Sequence, residues 1–432
     1  MEDILIKASK TAESAEVFQL TALRTPVQFE ANRLKQIQTK ESVTTALRVF
    51  KNGRVGFAQV SGSIKPEELI SMALETSEFG HKVNYTLPGN LPLNHPDIYD
   101  PEIEKVRVEE MIDIGMEIIE SVRANTPEIV FEGTIARTSA IYQIINTNGT
   151  DIHYRRSTFT VSMDGMLVRD GDILYIGDIL SSCHPIREFS SMTGNLIRQL
   201  ELARNNVSIK SGIFPVIFSP FGVAGALISP LIAALNGKTV YDGASPLKDK
   251  LGKSVFDRKF WLYDDPTIPY QPGSTPCDDE GMPAVRNTLI NSGVISQFYY
   301  DLHTAALAGT VSTGNGTRNG GLPSPSPHAL IIAPGKSTQD EMVKQIKEGL
   351  LIEQLMGADQ GNILSGDFSG NVLLGYKIEN GEICGRVKDT MVYGNVYQLL
   401  GSISDIGNDA RWIAGYLNTP SIFCPEISVS AK

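Results

Sequence analysis

The segment FPVIFSPFGVAGALISPLIAALNGKTV, Phe214 to Val240, holds a short apolar strand and a buried helix, and it contains no His, Glu, Asp or Cys. The reading is a strand at Pro215 to Phe218, then a helix over Ala224 to Leu235 interrupted by Pro230, with Gly237 as its cap. The silence extends outward: no Glu stands between Glu201 and Glu280, and no His between His184 and His303. A helix built from Leu, Ile and Ala packs; it offers no lone pair to a metal and no proton to a substrate.

The 432 residues, 41% of them hydrophobic, suffice for about two or three domains with sizeable cores. The net charge of −11 opposes non-specific attraction to phosphates, so nucleic acid is not expected as a partner. The opening MEDILIKASKTAESAEVF lacks an apolar run of signal-peptide length, and no stretch approaches about 18 uninterrupted apolar residues. A cytoplasmic protein without a membrane partner is expected. Cys183, Cys277, Cys384 and Cys424 form no C-x-x-C pair and read as reduced core or loop thiols.

Upstream, Glu16 to Arg24 and Val43 to Ala58 read as strands, with Asn52-Gly53 placed for a hairpin turn. Pro66 opens a helix over 66–79, the Pro-rich stretch 80–101 is a connector, and Val106 to Ala124 carries a helical apolar stripe. From Ile129 to Cys183 an antiparallel meander is expected, with turns at Asn148-Gly149, Asp164-Gly165 and Asp170-Gly171, and a helix from 189 to 205 closes it. Helix, strands, helix thus occurs twice before residue 206, the pattern of a weak internal duplication.

Downstream, the loops 241–254, 264–283 and 309–327 are long enough to serve a site or an interface. The final third reads as strands at 363–368, 371–379, 382–392 and 421–429, with Asn380-Gly381 as a hairpin turn and helices over 341–355 and 393–403.

Several groups carry the atoms for chemistry. Cys277-Asp278-Asp279-Glu280 with His303 has the donors for a divalent metal or a carboxylate acid–base pair, but adjacency alone seldom makes ligands converge, so a solvated acidic loop is the preferred reading. Cys183-His184 are strand neighbours that point to opposite faces. His153 and His328 read as surface or loop imidazoles. The run Gly314 to Gly320 has Arg318 and many amides for a phosphate but matches neither the P-loop nor G-x-G-x-x-G, so it is read as a loop shaping a groove. LSGDFSGN at 364–371 lacks the G-x-S-x-G elbow, and Asp367 and Ser369 read as turn hydrogen-bonders.

Together GRVGFA (53–58), NTNGTDIHYRRS (146–157), CDDEGMPAVRNTLINSGVISQFYYDLHTAALAG (277–309), STGNGTRNG (312–320), LSGDFSGNVLLGYKIENGEI (364–383) and DTMVYGNVYQLLGSISDIGNDARW (389–412) resemble the PmbA/TldE half of the TldD/PmbA family. The resemblance implies an α+β fold: an N-terminal α/β region with antiparallel sheets over 1–205, with subdomains 1–100 and 101–205, and a β-rich C-terminal domain over 206–432. It also implies dimerisation. In the family a TldD-type catalytic subunit carries His-Glu-x-x-x-His on the helix after a short strand, with a distant Cys completing a zinc site, and pairs with a PmbA/TldE subunit.

The corresponding helix here is Ala224 to Leu235, so no catalytic and no metal-binding residue is expected in this chain; zinc belongs to the partner, and Cys424 is a core thiol. The candidate peptide-groove or structural-loop residues are Asp279, Glu280, Gly281, His303, Thr313, Gly314, Asn315, Asp367, Phe368 and Ser369. The leading expectation is a non-catalytic subunit that pairs with a TldD-type subunit, or with itself when isolated, and handles unfolded peptide. Two rivals stay open: a homodimeric peptide-binding protein without protease activity, and an independent hydrolase using the 277–280 carboxylates with His303. The family's historical link to DNA gyrase finds no physical support in an acidic chain.

Overall fold

The computed structural model describes residues 1–169, 171–358 and 360–431. The expected turn residue Asp170 lies outside them. Two sheet systems divide the chain, and the fold is α+β.

The N-terminal sheet is antiparallel, in the order Arg54–Ser61, Lys40–Lys51, Ser14–Glu30, Val130–Asn146, Asp151–Arg169, Asp172–Ser182, with Arg33–Ile37 paired to the end of Ser14–Glu30. The order mirrors about the central pair Ser14–Glu30 and Val130–Asn146. Each half is a helix, three long strands and a closing helix: Glu2–Ala8 to Pro66–Ser77, then Val108–Asn125 to Ser190–Leu202. The repeat read in the sequence therefore has a spatial counterpart. Asn52 and Gly53, at φ 51° and 67°, make the tight turn whose twist suits a hairpin.

The helix Val108–Asn125 buries Met111, Ile114, Ile118, Ile119 and Val122 against this sheet. Gly115 on the same stripe leaves room for a ring, because a Cβ there would stand 2.1 Å from Phe29 Cζ. Asp164-Gly165 is no turn: both lie within the strand Asp151–Arg169. A Cβ on Gly165 would meet Ile129 Cδ1 at 2.8 Å, so glycine answers close packing there rather than reversal.

In the C-terminal half, Glu348–Met356, Gly212–Phe218, Ile422–Ala431, Thr390–Asn395 and Asp367–Glu379 follow one another. The last also pairs with Glu348–Met356, which closes a ring. A second sheet runs Val294–Ile295, Asn287–Asn291, Leu262–Asp264, Leu330–Ile332, Leu417–Thr419, Arg411–Ile413. The boundary expected at 205/206 falls between the helix Ser190–Leu202 and the strand Asn206–Val207. One apolar cluster crosses it, joining Phe131, Met192 and Leu196 to Ile217, Leu351, Tyr376 and Phe423.

Several sequence expectations need correction. The helix over 341–355 is a short helix, Gln339–Lys344, followed by the barrel strand Glu348–Met356. Leu350, Leu351 and Ile352 are successive and fully buried, as a strand covered on both faces requires and a one-sided helix does not. The strands expected at 363–368 and 371–379 are one strand, Asp367–Glu379, after a single 3-10 turn. The segment 382–392 breaks at Asp389, whose φ is 45°, and the helix of 393–403 shrinks to Val396–Gly401.

The opening segment also folds differently in detail. Its helix starts at Pro220, capped by Ser219, and breaks at Leu227 into a second helix, Ile228–Leu235. Pro230 sits in the first turn of that second helix, where its missing N–H has no partner to lose; its ring instead denies a continuous helix through residue 226. Gly237 begins a further helix, capped by Asn236, and the position is glycine because a Cβ would stand 2.2 Å from the Tyr300 ring.

Candidate functional site

The first strand pairing sets Glu16 directly opposite Arg48. Arg48 Nη2 donates to Glu16 Oε2 at 2.7 Å and Nη1 to Glu280 Oε1 at 2.6 Å, and Arg318 Nη2 closes on the other Glu16 oxygen. These side chains are at most 3% exposed. Glu280 Oε2 also accepts the Leu302 N–H at 2.8 Å, tying the sheet to the helix Leu302–Ala308. Burial raises the Glu280 carboxyl above its ordinary value, and Arg48 opposes that rise. Burial by itself would lower the Arg48 guanidinium, but Glu16, Tyr85 and Glu280 around it hold it charged.

The acidic loop is therefore not solvated. Asp278 and Glu280 are 1% and 0% exposed. Asp278 accepts the Glu280 and Met282 N–H groups at 2.9 Å on one oxygen and Gly316 N–H at 2.8 Å on the other, a turn clamp with its lone pairs used. Gly316 must be glycine, since a Cβ would lie 2.4 Å from Glu280 Oε2. Short acidic runs usually face water; here Arg48, far away in the chain, pairs with Glu280, and backbone N–H groups take up Asp278 and Asp279.

The glycine-rich loop is held by a second buried network. Asn315, fully buried, donates to Asp264 Oδ2 at 2.7 Å and accepts from Thr313 Oγ1 at 2.7 Å. Asp264 Oδ1 takes the N–H groups of His328 and Ala329, and His328 Nε2 meets the Gly314 carbonyl at 2.8 Å. Gly281, at φ 79°, packs its backbone beside Thr150. Arg318 pairs with Glu16 and donates from Nε to the Asp279 carbonyl, so its charge is committed to the loop, while its Nη1 is buried without a partner among the described residues.

Between this loop layer and the sheet lies a cavity of about 370 Å³. Phe18, Leu20, Tyr142, Tyr154 and Arg156 form its floor, and Asp279, Arg318 and His328 its roof. The floor is a cross-strand row, Leu20 opposite Tyr142 opposite Tyr154, so strand register alone assembles it. Sequence reading missed this floor, together with Glu16 and Arg48: alternation marks which residues share a face but not what covers that face.

His303 lies at the edge of the cluster. Its ring stacks on His81 of the connector, centroids 3.7 Å apart, and His81 Nε2 and His303 Nδ1 are buried without a hydrogen-bond partner among the described residues. Burial, then the neighbouring His303, holds His81 down to about 4, and burial lowers His303 as well. Both rings are folded in their neutral form, so their contribution to stability is complete above the ordinary value of 6.5 and is lost as pH falls below it, for His81 toward about 4. Thermal melts should therefore fall steadily over that window, and His81→Phe should flatten the slope; an unchanged slope would show that acid acts elsewhere.

Asp367, Phe368 and Ser369 do not join this cluster. They belong to the barrel strand, where Asp367 accepts from Asn395 at 2.8 Å and Phe368 packs edge-on to Phe218. Cys183 is buried, whereas His184 points outward to Asp100 at 2.7 Å. His153 is exposed beside Asp151 on a strand rather than a loop.

The helix Ile228–Leu235 buries Ile228, Leu231, Ala234 and Leu235 in the C-terminal core. Cys424, opposite Val216, belongs to the same core, and burial pushes its thiol up to about 12. Among the described residues no group of three or more His, Cys, Asp or Glu is placed to hold a metal ion. The side chains of this helix do not fit a zinc centre. No helix among the described residues is long and apolar enough to cross a membrane.

Comparison with known proteins places this geometry. The chain is 25% identical to an uncharacterised protein of Methanocaldococcus jannaschii over 98% of both chains. It is 33% identical to the metalloprotease TldD homolog of Buchnera aphidicola over 50% of this chain and 46% of that one. The crystal structure of TldE from Thermococcus kodakarensis superposes with a TM-score of 0.92, covering 100% of both chains at 24% identity, a likeness of fold. Residues 15–77 match the profile of PmbA/TldA metallopeptidase domain 1. Residues 211–431, just over half the chain, match the PmbA/TldA metallopeptidase C-terminal domain, and the chain belongs to the PmbA/TldD family.

Proposed function

We propose that this chain is the PmbA/TldE-like, non-catalytic subunit of a metalloprotease whose metal sits in a TldD-type partner, and that the pair acts on unfolded peptides or small proteins. The observation that carries this reading is the helix Ile228–Leu235, composed as core where the family's catalytic subunit keeps its ligands. Imidazole, thiolate or carboxylate is indispensable to a zinc-bound water, and Leu231 or Ala234 cannot substitute. The chain's own part is to supply dimer surface and one wall of an enclosed space, with its two parts divided near residue 205.

Peptide held in extended form along a strand edge is bound through backbone N–H and C=O groups without reading sequence, which suits varied unfolded substrates. The net charge of −11 favours such work over binding to nucleic acid. The test is co-purification with a TldD-type protein followed by a peptide-cleavage assay. The pair should cleave, this chain alone should not, and the pair built with the partner's His-Glu-x-x-x-His motif mutated should be inactive. Cleavage surviving that mutation would move the chemistry into this chain and sink the proposal.

A further inference from the structure

The cavity under the glycine-rich loop presents two charges that the fold leaves unspent. Arg156 donates from Nη2 to the Ser274 carbonyl at 2.7 Å and lies over the Tyr142 ring, 5.2 Å from its centroid. It forms no ion pair with any described carboxylate, and its Nη1 is neither enclosed nor hydrogen-bonded within the described protein. Asp279 accepts the Arg318 N–H on Oδ2 at 2.8 Å, while its Oδ1 is likewise open. Both residues line the same cavity and yet stay more than 4.0 Å from each other. Arg48 is already ion-paired with Glu16 and Glu280, and Arg318 with Glu16.

Aromatic rings line the same cavity as a wall beside these groups. Tyr142 and Tyr154 stack with centroids 4.7 Å apart, and Phe18 meets Tyr142 edge-on at 6.4 Å. We infer that the cavity binds a zwitterionic small molecule, an α-amino acid with an apolar or aromatic side chain, its carboxylate on Arg156, its ammonium on Asp279 and its side chain against the aromatic wall. A simple anion would leave Asp279 without a direct ion-pair partner, and a simple cation would leave Arg156 without one; a zwitterion satisfies both at no net charge. The volume of about 370 Å³ is at the small end of the roughly 300–1,000 Å³ typical of ligand pockets, which suits one amino acid better than a peptide. This site lies apart from the helix Ile228–Leu235, and the inference holds whether or not the chain pairs with a protease subunit.

Calorimetric titration of the purified full chain at neutral pH tests it, using L-phenylalanine, N-acetyl-L-phenylalanine and L-phenylalaninamide. L-Phenylalanine should bind saturably, and each blocked form should bind at least about tenfold more weakly, since each abandons one charged hydrogen-bonded contact. Arg156→Gln should erase the preference for the free acid over the amide, and Asp279→Asn the preference for the free amine over the acetylated form. Circular dichroism confirms that the variants fold; should either fail to fold, the three ligands on the unaltered chain still decide. No binding of L-phenylalanine at millimolar concentration, or equal binding of all three, overturns the inference.

Discussion

Replacing Arg48 with Met should cost about 3–5 kcal/mol in urea unfolding, because it leaves Glu280 and Glu16 buried with one cation fewer. Glu16 keeps Arg318, whereas Glu280 keeps only the Leu302 N–H, so the loss concentrates on the link between the N-terminal sheet and the C-terminal loops. The double variant Arg48→Met with Glu280→Gln should lose clearly less than the two single losses added together, since removing the second charge relieves the first. Additive losses would mean that the pair is not coupled and that the cluster does not join the two halves. The sheet–loop cavity should suffer with it, as its roof hangs on Asp279 and Arg318 beside this network.

Leu231→Ala should cost about 2–5 kcal/mol, the usual range for emptying a filled core position. The side chain is 1% exposed and packs in the cluster that also holds Val216, Phe218, Ile352 and Cys424. Urea unfolding of the variant checks this. A loss below about 0.5 kcal/mol would place the residue at a surface, open to a ligand or partner, and would remove the reason for calling this helix structural.

Much of the fold is legible in the order of the amino acids, and the misreadings have definite causes. The hairpin at Asn52-Gly53, the helix opened by Pro66 and the stripe of Val108–Asn125 follow from local chemistry: turn conformations, a preset φ and period 3.6. The segment 348–356 misleads because a strand covered on both faces loses its alternation and resembles a helix of apolar residues. Asp164-Gly165 misleads in another way, since its glycine serves packing between Ile129, Phe131 and Ile176.

The site divides along the same line. Glu280, Asn315 and Thr313 are picked out by the family-like runs they occupy, and the structure joins them into buried networks. Their partners Arg48, Glu16 and Asp264 come from elements distant in the chain, and nothing in the local sequence of an acidic loop announces a cation from another strand. Asp367 to Ser369 show the converse, a run held by its neighbours in the barrel strand and the turn before it.

The zinc content of the purified chain after equilibration with zinc and removal of loosely held ion is the most direct measurement. A chain whose helix Ile228–Leu235 is core should retain far less than one zinc per molecule and cleave no peptide by itself. Retention near one zinc per chain, lost on substituting side chains of this chain alone, would contradict the reading of a metallopeptidase fold without its ligands.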